Sequence, residues 1–198
     1  MIKVGFICEG YTERILLESP AFGSLLASLN IDLLQVINAE GCDNLLPHNI
    51  KPYTAILENA GAQFIIILTD LDDDSCITET KKRISAREKD VMIVAVKKIE
   101  AWFLACTPAM RNVLGRPGFE CSSPEEEQEP FETINNLFIA HSGRGIGKKT
   151  AGKKKLINRM LENGLDLTDA AAHGNCPSAA YFLRKLKEIG ASGTGELK

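Results

Sequence analysis

Gln63–Cys76 reads "QFIIILTDLDDDSC", an unbroken β-branched and aliphatic run that ends in Asp70, Asp72, Asp73 and Asp74. A continuous apolar run of this length marks a strand covered on both faces, as in a parallel sheet. Two further runs share its character, "IKVGFIC" (2–8) and "VMIVAV" (91–96), and "DLLQVIN" (32–38) supplies a fourth strand. Helix-like stretches separate them: Thr12 to Leu29, Lys51 to Asn59 and Thr78 to Glu88. The alternation β-α-β-α-β-α-β predicts an α/β fold, an open and mostly parallel Rossmann-like sheet joined by right-handed crossovers.

Beyond Lys98 the pattern becomes helical. "IEAWFLACTPAMRNVL" reads as one or two helices, with Pro108 placed to open the second. A Gly/Pro/Ser-rich acidic loop, "GRPGFECSSPEEEQEPFE", follows, and residues 148–163 and 177–189 form amphipathic helices. The expected division is an α/β core over 1–106, a helical extension packed on it over 107–189, and a flexible tail over 190–198.

Composition sets limits on function. The chain has 198 residues, 44% hydrophobic and 25% charged, which is ordinary for a globular protein. A net charge of −3 gives no general attraction to nucleic acid or anionic lipid, so any polyanion site has to be local. The six cysteines form no CxxC pair, which points to reduced thiols in a cytoplasm rather than to a zinc ribbon or a disulfide framework. No window approaches the roughly 18 apolar residues of a membrane span, and the apolar run near the N-terminus is too short for a secretory signal.

The acidic cluster requires an explanation. Ligand sites in α/β sheets collect at the carboxyl ends of strands. Asp70 and Asp72 follow one strand, and their i, i+2 spacing points both the same way if the extended backbone continues. Glu9 holds the same position after the first strand, and Glu13 comes four residues later at the start of a helix. Two carboxylates about 4 Å apart repel by roughly 4 kcal/mol at an effective dielectric near 20. A convergent group therefore needs protonation, water or a cation, and an all-oxygen ligand set favours Mg²⁺ or Mn²⁺ over Zn²⁺. Each residue alone has an ordinary role open to it: a turn aspartate, a helix cap, or a glutamate at the positive end of a helix.

"FICEGYTER" and "IIILTDLD" together resemble a TOPRIM domain, which carries a glutamate in a Gly-containing turn after its first strand and Asp-x-Asp after a later one. The Glu9-Gly10-x-x-Glu13 form is similar to the nuclease domains of the overcoming-lysogenisation-defect type, whose acidic residues bind two metals. "VKKIEAWFLA" and "NCPSAAYFLRKL" resemble a smaller TOPRIM-like family of bacterial proteins often encoded beside ATPases. That family usually places Asp where this chain has Cys106, a poor Mg²⁺ ligand.

The resemblance implies metal-assisted phosphodiester chemistry on nucleic acid, DNA ahead of RNA, with an ATPase as a candidate partner. Asp70, Asp72 and Glu9 would bind metal and serve catalysis, one ion activating water and another stabilising the leaving oxygen. Glu13 and Glu100 are candidate ligands for a second ion. For Glu100 the competing reading is a simple pairing with Lys97, Lys98 or a backbone donor.

Seven basic and no acidic residues lie between Arg144 and Arg159. Arg144, Lys148, Lys149, Lys153 and Lys154 are the candidate nucleic-acid contacts; the alternative is a solvated helix face, or a partner for the acidic loop. No aromatic residue alternates with these lysines, so the stretch itself gives no sign of base stacking. "GRGIGKKT" falls one residue short of a P-loop and has Lys149 where Ser or Thr belongs, so it reads instead as a glycine hinge. Two alternatives to the nuclease remain: a haloacid-dehalogenase-type phosphatase with Asp70 as nucleophile, and a non-catalytic regulatory or partner-binding module.

Overall fold

The structure, a computed structural model, describes residues 1–84, 87 and 90–192, with the backbone alone at Lys149. Four strands, β1 (Ile2–Cys8), β2 (Ile31–Asn38), β3 (Phe64–Asp70) and β4 (Val91–Ala95), form one parallel sheet in the order β2-β1-β3-β4. The expected strands are present: β3, expected as "FIIILT" (64–69), runs one residue further to Asp70, β2 begins one residue earlier at Ile31, and β4 stops one residue short at Ala95.

The sheet is covered on both faces, which is why its strands are apolar throughout. Phe6, Ile66, Leu68 and Ile93 point into one core, while Ile7, Ile65, Ile67 and Val94 point into a second. The stretch expected as one helix from Thr12 to Leu29 is two, α1 (Tyr11–Leu17) and α2 (Pro20–Ser28), both on the first face. Ser19 is extended between them and its Oγ accepts the Phe22 N–H at 3.2 Å, while Pro20 cannot continue the preceding helix. On the second face lie α3 (Lys51–Asn59) and α4 (Ile77–Ile84). Residues 85, 86 and 88 of the helix expected from Thr78 to Glu88 lie outside the described residues. The chain moves from β1 out to β2 over the first face, then back past β1 to β3 over the second. This change of face with change of direction is what a single hand of crossover demands.

The remaining helices are α5 (Glu100–Ala105), α6 (Thr107–Leu114), α7 (Pro130–Ser142), α8 (Lys149–Glu162), α9 (Leu167–Ala172) and α10 (Pro177–Ser192). Neither α7 nor α9 is expected from the sequence pattern. Pro130 opens α7 inside the stretch expected to be loop, and α9 is six residues capped by Asp166, whose Oδ1 accepts the Thr168 N–H at 2.8 Å. α10 runs to Ser192 with Ile189 and Gly190 buried, so no tail begins at 190; residues 193–198 lie outside the described residues.

The helical part shares the core of the first sheet face. Trp102 on α5 is fully buried and stacks on Phe182 of α10 at 5.5 Å, and Phe182 in turn meets Phe6 and Phe22. The Trp102 indole N–H donates to Ser178 Oγ at 2.7 Å. Among the described residues no helix is long and apolar enough to cross a membrane.

Candidate functional site

β1 sits between β2 and β3, so the connections leaving β1 and β3 diverge and open a crevice at the carboxyl ends of these two strands. Glu9 directly follows β1, and Asp70 is the last residue of β3. Glu9 Oε2 accepts from Thr69 Oγ1 at 2.7 Å and from the Asp70 N–H at 3.3 Å, which ties the two strand ends together. Asp70 Oδ1 accepts the Ile99 N–H at 2.8 Å and thereby sets the start of α5, whose first residue is Glu100. Glu13 enters from the first turn of α1. The intervening Gly10 leaves it room, since a Cβ there would stand 3.1 Å from Glu13 Oε2.

Glu100 is 0% exposed, Glu13 4% and Asp70 7%. Carboxylates buried to this degree need compensation, and the nearest cation is Lys153 of α8, whose Nζ lies 2.9 Å from Glu100 Oε1. Despite that ion pair, neither Glu100 oxygen has an aligned hydrogen bond. Burial, then the charges of Glu100 and Glu9, push the Glu13 carboxyl up to about 7. Asp70 is raised well above the usual carboxylate range by burial and by Glu13, Glu100 and Glu9. Burial alone would pull the Lys153 ammonium down; Glu100, Asp70 and Glu13 outweigh it and hold the group above its ordinary value.

Asp72 departs from expectation. The extended backbone stops at Asp70, and Asp72 takes a left-handed φ of 47° with its N–H donated to Lys97 O at 3.0 Å. The i, i+2 argument therefore fails, and Asp72 stands outside the buried group. Its charge still helps burial to raise the Glu9 carboxyl. Asp74 is bound by Arg83 at 2.9 Å. Nor does Glu100 pair with Lys97 or Lys98, which reach Gln128 and Glu129 of the acidic loop.

The basic stretch divides. Lys153 and Lys154 reach a cleft of about 460 Å³ that also contains Glu9, Glu13, Asp70 and Tyr11. Arg144 lines a different depression together with Arg159. Lys148 is exposed just before α8, and the Lys149 side chain lies outside the described residues. The glycine segment is anchored rather than free: Ile146 is buried and its N–H donates to Asn135 Oδ1 at 2.8 Å.

The inward role of Lys153 escaped the sequence reading, although a signal existed. Lys153 precedes Leu156, Ile157 and Met160, all fully buried, by three, four and seven positions, so it belongs to the apolar stripe of α8. Among the described residues, no three Asp, Glu, His or Cys side chains form a ready-made metal-ligand set. The carboxylates are turned instead to Lys153, Thr69 and backbone N–H groups.

Fold and site together define a Rossmann-like α/β protein with a buried acidic cluster at its switch point. Comparison with protein-family models, curated proteins and solved structures finds no match.

Proposed function

We propose that the protein is a Mg²⁺- or Mn²⁺-dependent phosphodiester hydrolase acting on nucleic acid, of the TOPRIM type that its motifs resemble. The observation that carries this reading is Glu100: fully buried, beside Asp70 and Glu13, with neither oxygen in an aligned hydrogen bond. All the donors are hard oxygens, which fits a small divalent cation, and its charge would favour the ionised forms of Asp70 and Glu13 against the burial that raises them. Asp70, Glu13 and Glu100 would hold it only after turning from Lys153 and the Ile99 N–H toward the ion, with Glu9 at the rim. When bound, such a cation supplies charge neutralisation and an acidified water at neutral pH.

The chain's own groups take the remaining roles. Glu9 has Oε2 committed to Thr69 and the Asp70 N–H, and a carboxyl raised first by burial, so Oε1 is the atom suited to accept or return a proton at the cleft. Lys154 faces the cleft as a phosphate contact. A cytoplasmic location and an ATPase partner belong to the same reading and rest on composition and resemblance respectively. The phosphatase alternative gains no support: Asp70 is buried and its Oδ1 already accepts the Ile99 N–H, which is not the placing of a free attacking group.

The test is cleavage of labelled DNA and RNA, each single-stranded and duplex, in Mn²⁺ with EDTA and Glu100→Gln as controls. Metal-dependent cleavage that the variant loses supports the hydrolase. Four intact substrates in both Mg²⁺ and Mn²⁺ would refute it and leave the non-catalytic binding module.

A further inference from the structure

Tyr11 is the first residue of α1, directly after Glu9-Gly10, and is 59% exposed. Among the described residues it is the one aromatic side chain left this open to solvent, and it stacks on no other aromatic ring. Its position is not an arbitrary point on the surface: it lines the same cleft as Glu9, Asp70, Lys153 and Lys154. An aromatic face and an exposed ammonium thus share the rim of a pocket with acidic residues at its base. The sequence could not show this, because Tyr11 and Lys154 are far apart in the chain and meet only when α8 packs on α1.

Two features limit what the cleft takes. Its volume, about 460 Å³, belongs to the range of small-ligand pockets and suits a nucleotide or two, not a duplex. The cationic contact is also short, because Arg144 and Arg159 line a separate depression and Lys153 is engaged by Glu100. Among the described residues, Lys153 and Lys154 are the basic side chains that line the cleft.

We propose that the cleft selects an unpaired strand, with Tyr11 stacking on a base beside the phosphodiester and Lys154 contacting a neighbouring phosphate. This rests on the hydrolase reading above and adds its substrate class. Aromatic stacking is tolerant of base identity, so selection is for strandedness rather than sequence. Tyr11 acts here as a specificity determinant.

The experiment is fluorescence anisotropy with a labelled 20-residue oligothymidylate and a 20-base-pair duplex, in Ca²⁺, for the full chain, Tyr11→Ala and Tyr11→Phe. Expected are single-strand binding at least tenfold tighter than duplex binding, a loss of about tenfold in Tyr11→Ala for the single strand alone, and retention in Tyr11→Phe. The slope of log affinity against log salt should be about −0.7 for the one lysine–phosphate contact. Equal or tighter duplex binding, an unaffected Tyr11→Ala, a Tyr11→Phe as weak as Tyr11→Ala, or no binding would overturn the proposal. Because Tyr11 is exposed, unchanged melting temperatures should show that the variants remain folded. Strand-selective binding without cleavage removes the hydrolase and keeps this inference; cleavage indifferent to strandedness and to Tyr11 does the reverse.

Discussion

Lys153 decides how the acidic cluster behaves. Its ammonium faces Glu100, Asp70 and Glu13, so removing it takes away the cation that is ion-paired with Glu100 among the described residues. Breaking a buried pair from one side costs about 3–5 kcal/mol. Lys153→Met is expected to melt well below the wild type in EDTA, and a divalent cation should restore most of the loss; Glu100→Gln, one charge fewer, should lose the response to metal. A Lys153→Met protein that melts like the wild type in EDTA would show that the cluster holds no such charge. The pH dependence follows from the same geometry. Glu13 is raised from 4.5 to about 7, so its protonated form is favoured in the fold. That contribution is complete below pH 4.5 and is lost as pH rises through about 7. Without divalent cations, thermal stability should therefore fall between pH 5 and pH 8, with Asp70 and Glu9 acting in the same direction. Melting curves across that range decide it, and a rise in stability would contradict the burial of Glu13. Glu9 and Asp70 were legible as strand-end carboxylates because the strands themselves were legible. The counter-charge was not, since Lys153 reaches the cluster only through the packing of α8.

At the scale of elements, Gly152 fixes how closely α8 approaches its neighbours. A Cβ there would lie 2.6 Å from Phe131 Cζ of α7 and 2.9 Å from Gly147 O. Ala normally favours a helix over Gly by about 1 kcal/mol, but Phe131 is buried and Gly147 O is backbone, so neither yields easily. Overpacking costs typically about 1–3 kcal/mol, and here the clash wins. Gly152→Ala should lower the melting temperature, and because Lys153 is the next residue, it should also weaken the pH response described above. A variant as stable as the wild type would mean that α7 and α8 separate freely. Legibility differs among elements for physical reasons. Buried parallel strands leave continuous apolar runs, whereas the stop and start at Ser19-Pro20 lies inside one long helical pattern that masks it. α7 starts at a proline within an acidic loop and α9 has only six residues, so neither offers a sustained period against which to read it.

For the whole molecule the question is whether the sheet and the later helices fold as one unit. A boundary near residue 106 would leave Phe6, Phe22 and Trp102 facing water, since Phe182 of α10 packs against all three. Ser178 joins the parts again, accepting from the Trp102 indole and from the Val96 N–H at the end of β4. Glu125, from the acidic loop, accepts both the Ser178 N–H and its hydroxyl, so the loop closes over the joint. Trp102 is the only tryptophan, and its fluorescence therefore reports on this joint alone. Urea unfolding followed by that fluorescence and by far-ultraviolet circular dichroism should give coincident transitions, the mark of one cooperative unit. Phe182→Ala, which opens the shared core, should shift both together at a cost of about 3–5 kcal/mol. Two separated transitions, or a fragment of residues 1–106 that folds alone, would make the helical part a separate domain. The acidic cluster would then be assembled between domains, because Lys153 belongs to the later part while Glu13, Asp70 and Glu100 belong to the earlier one.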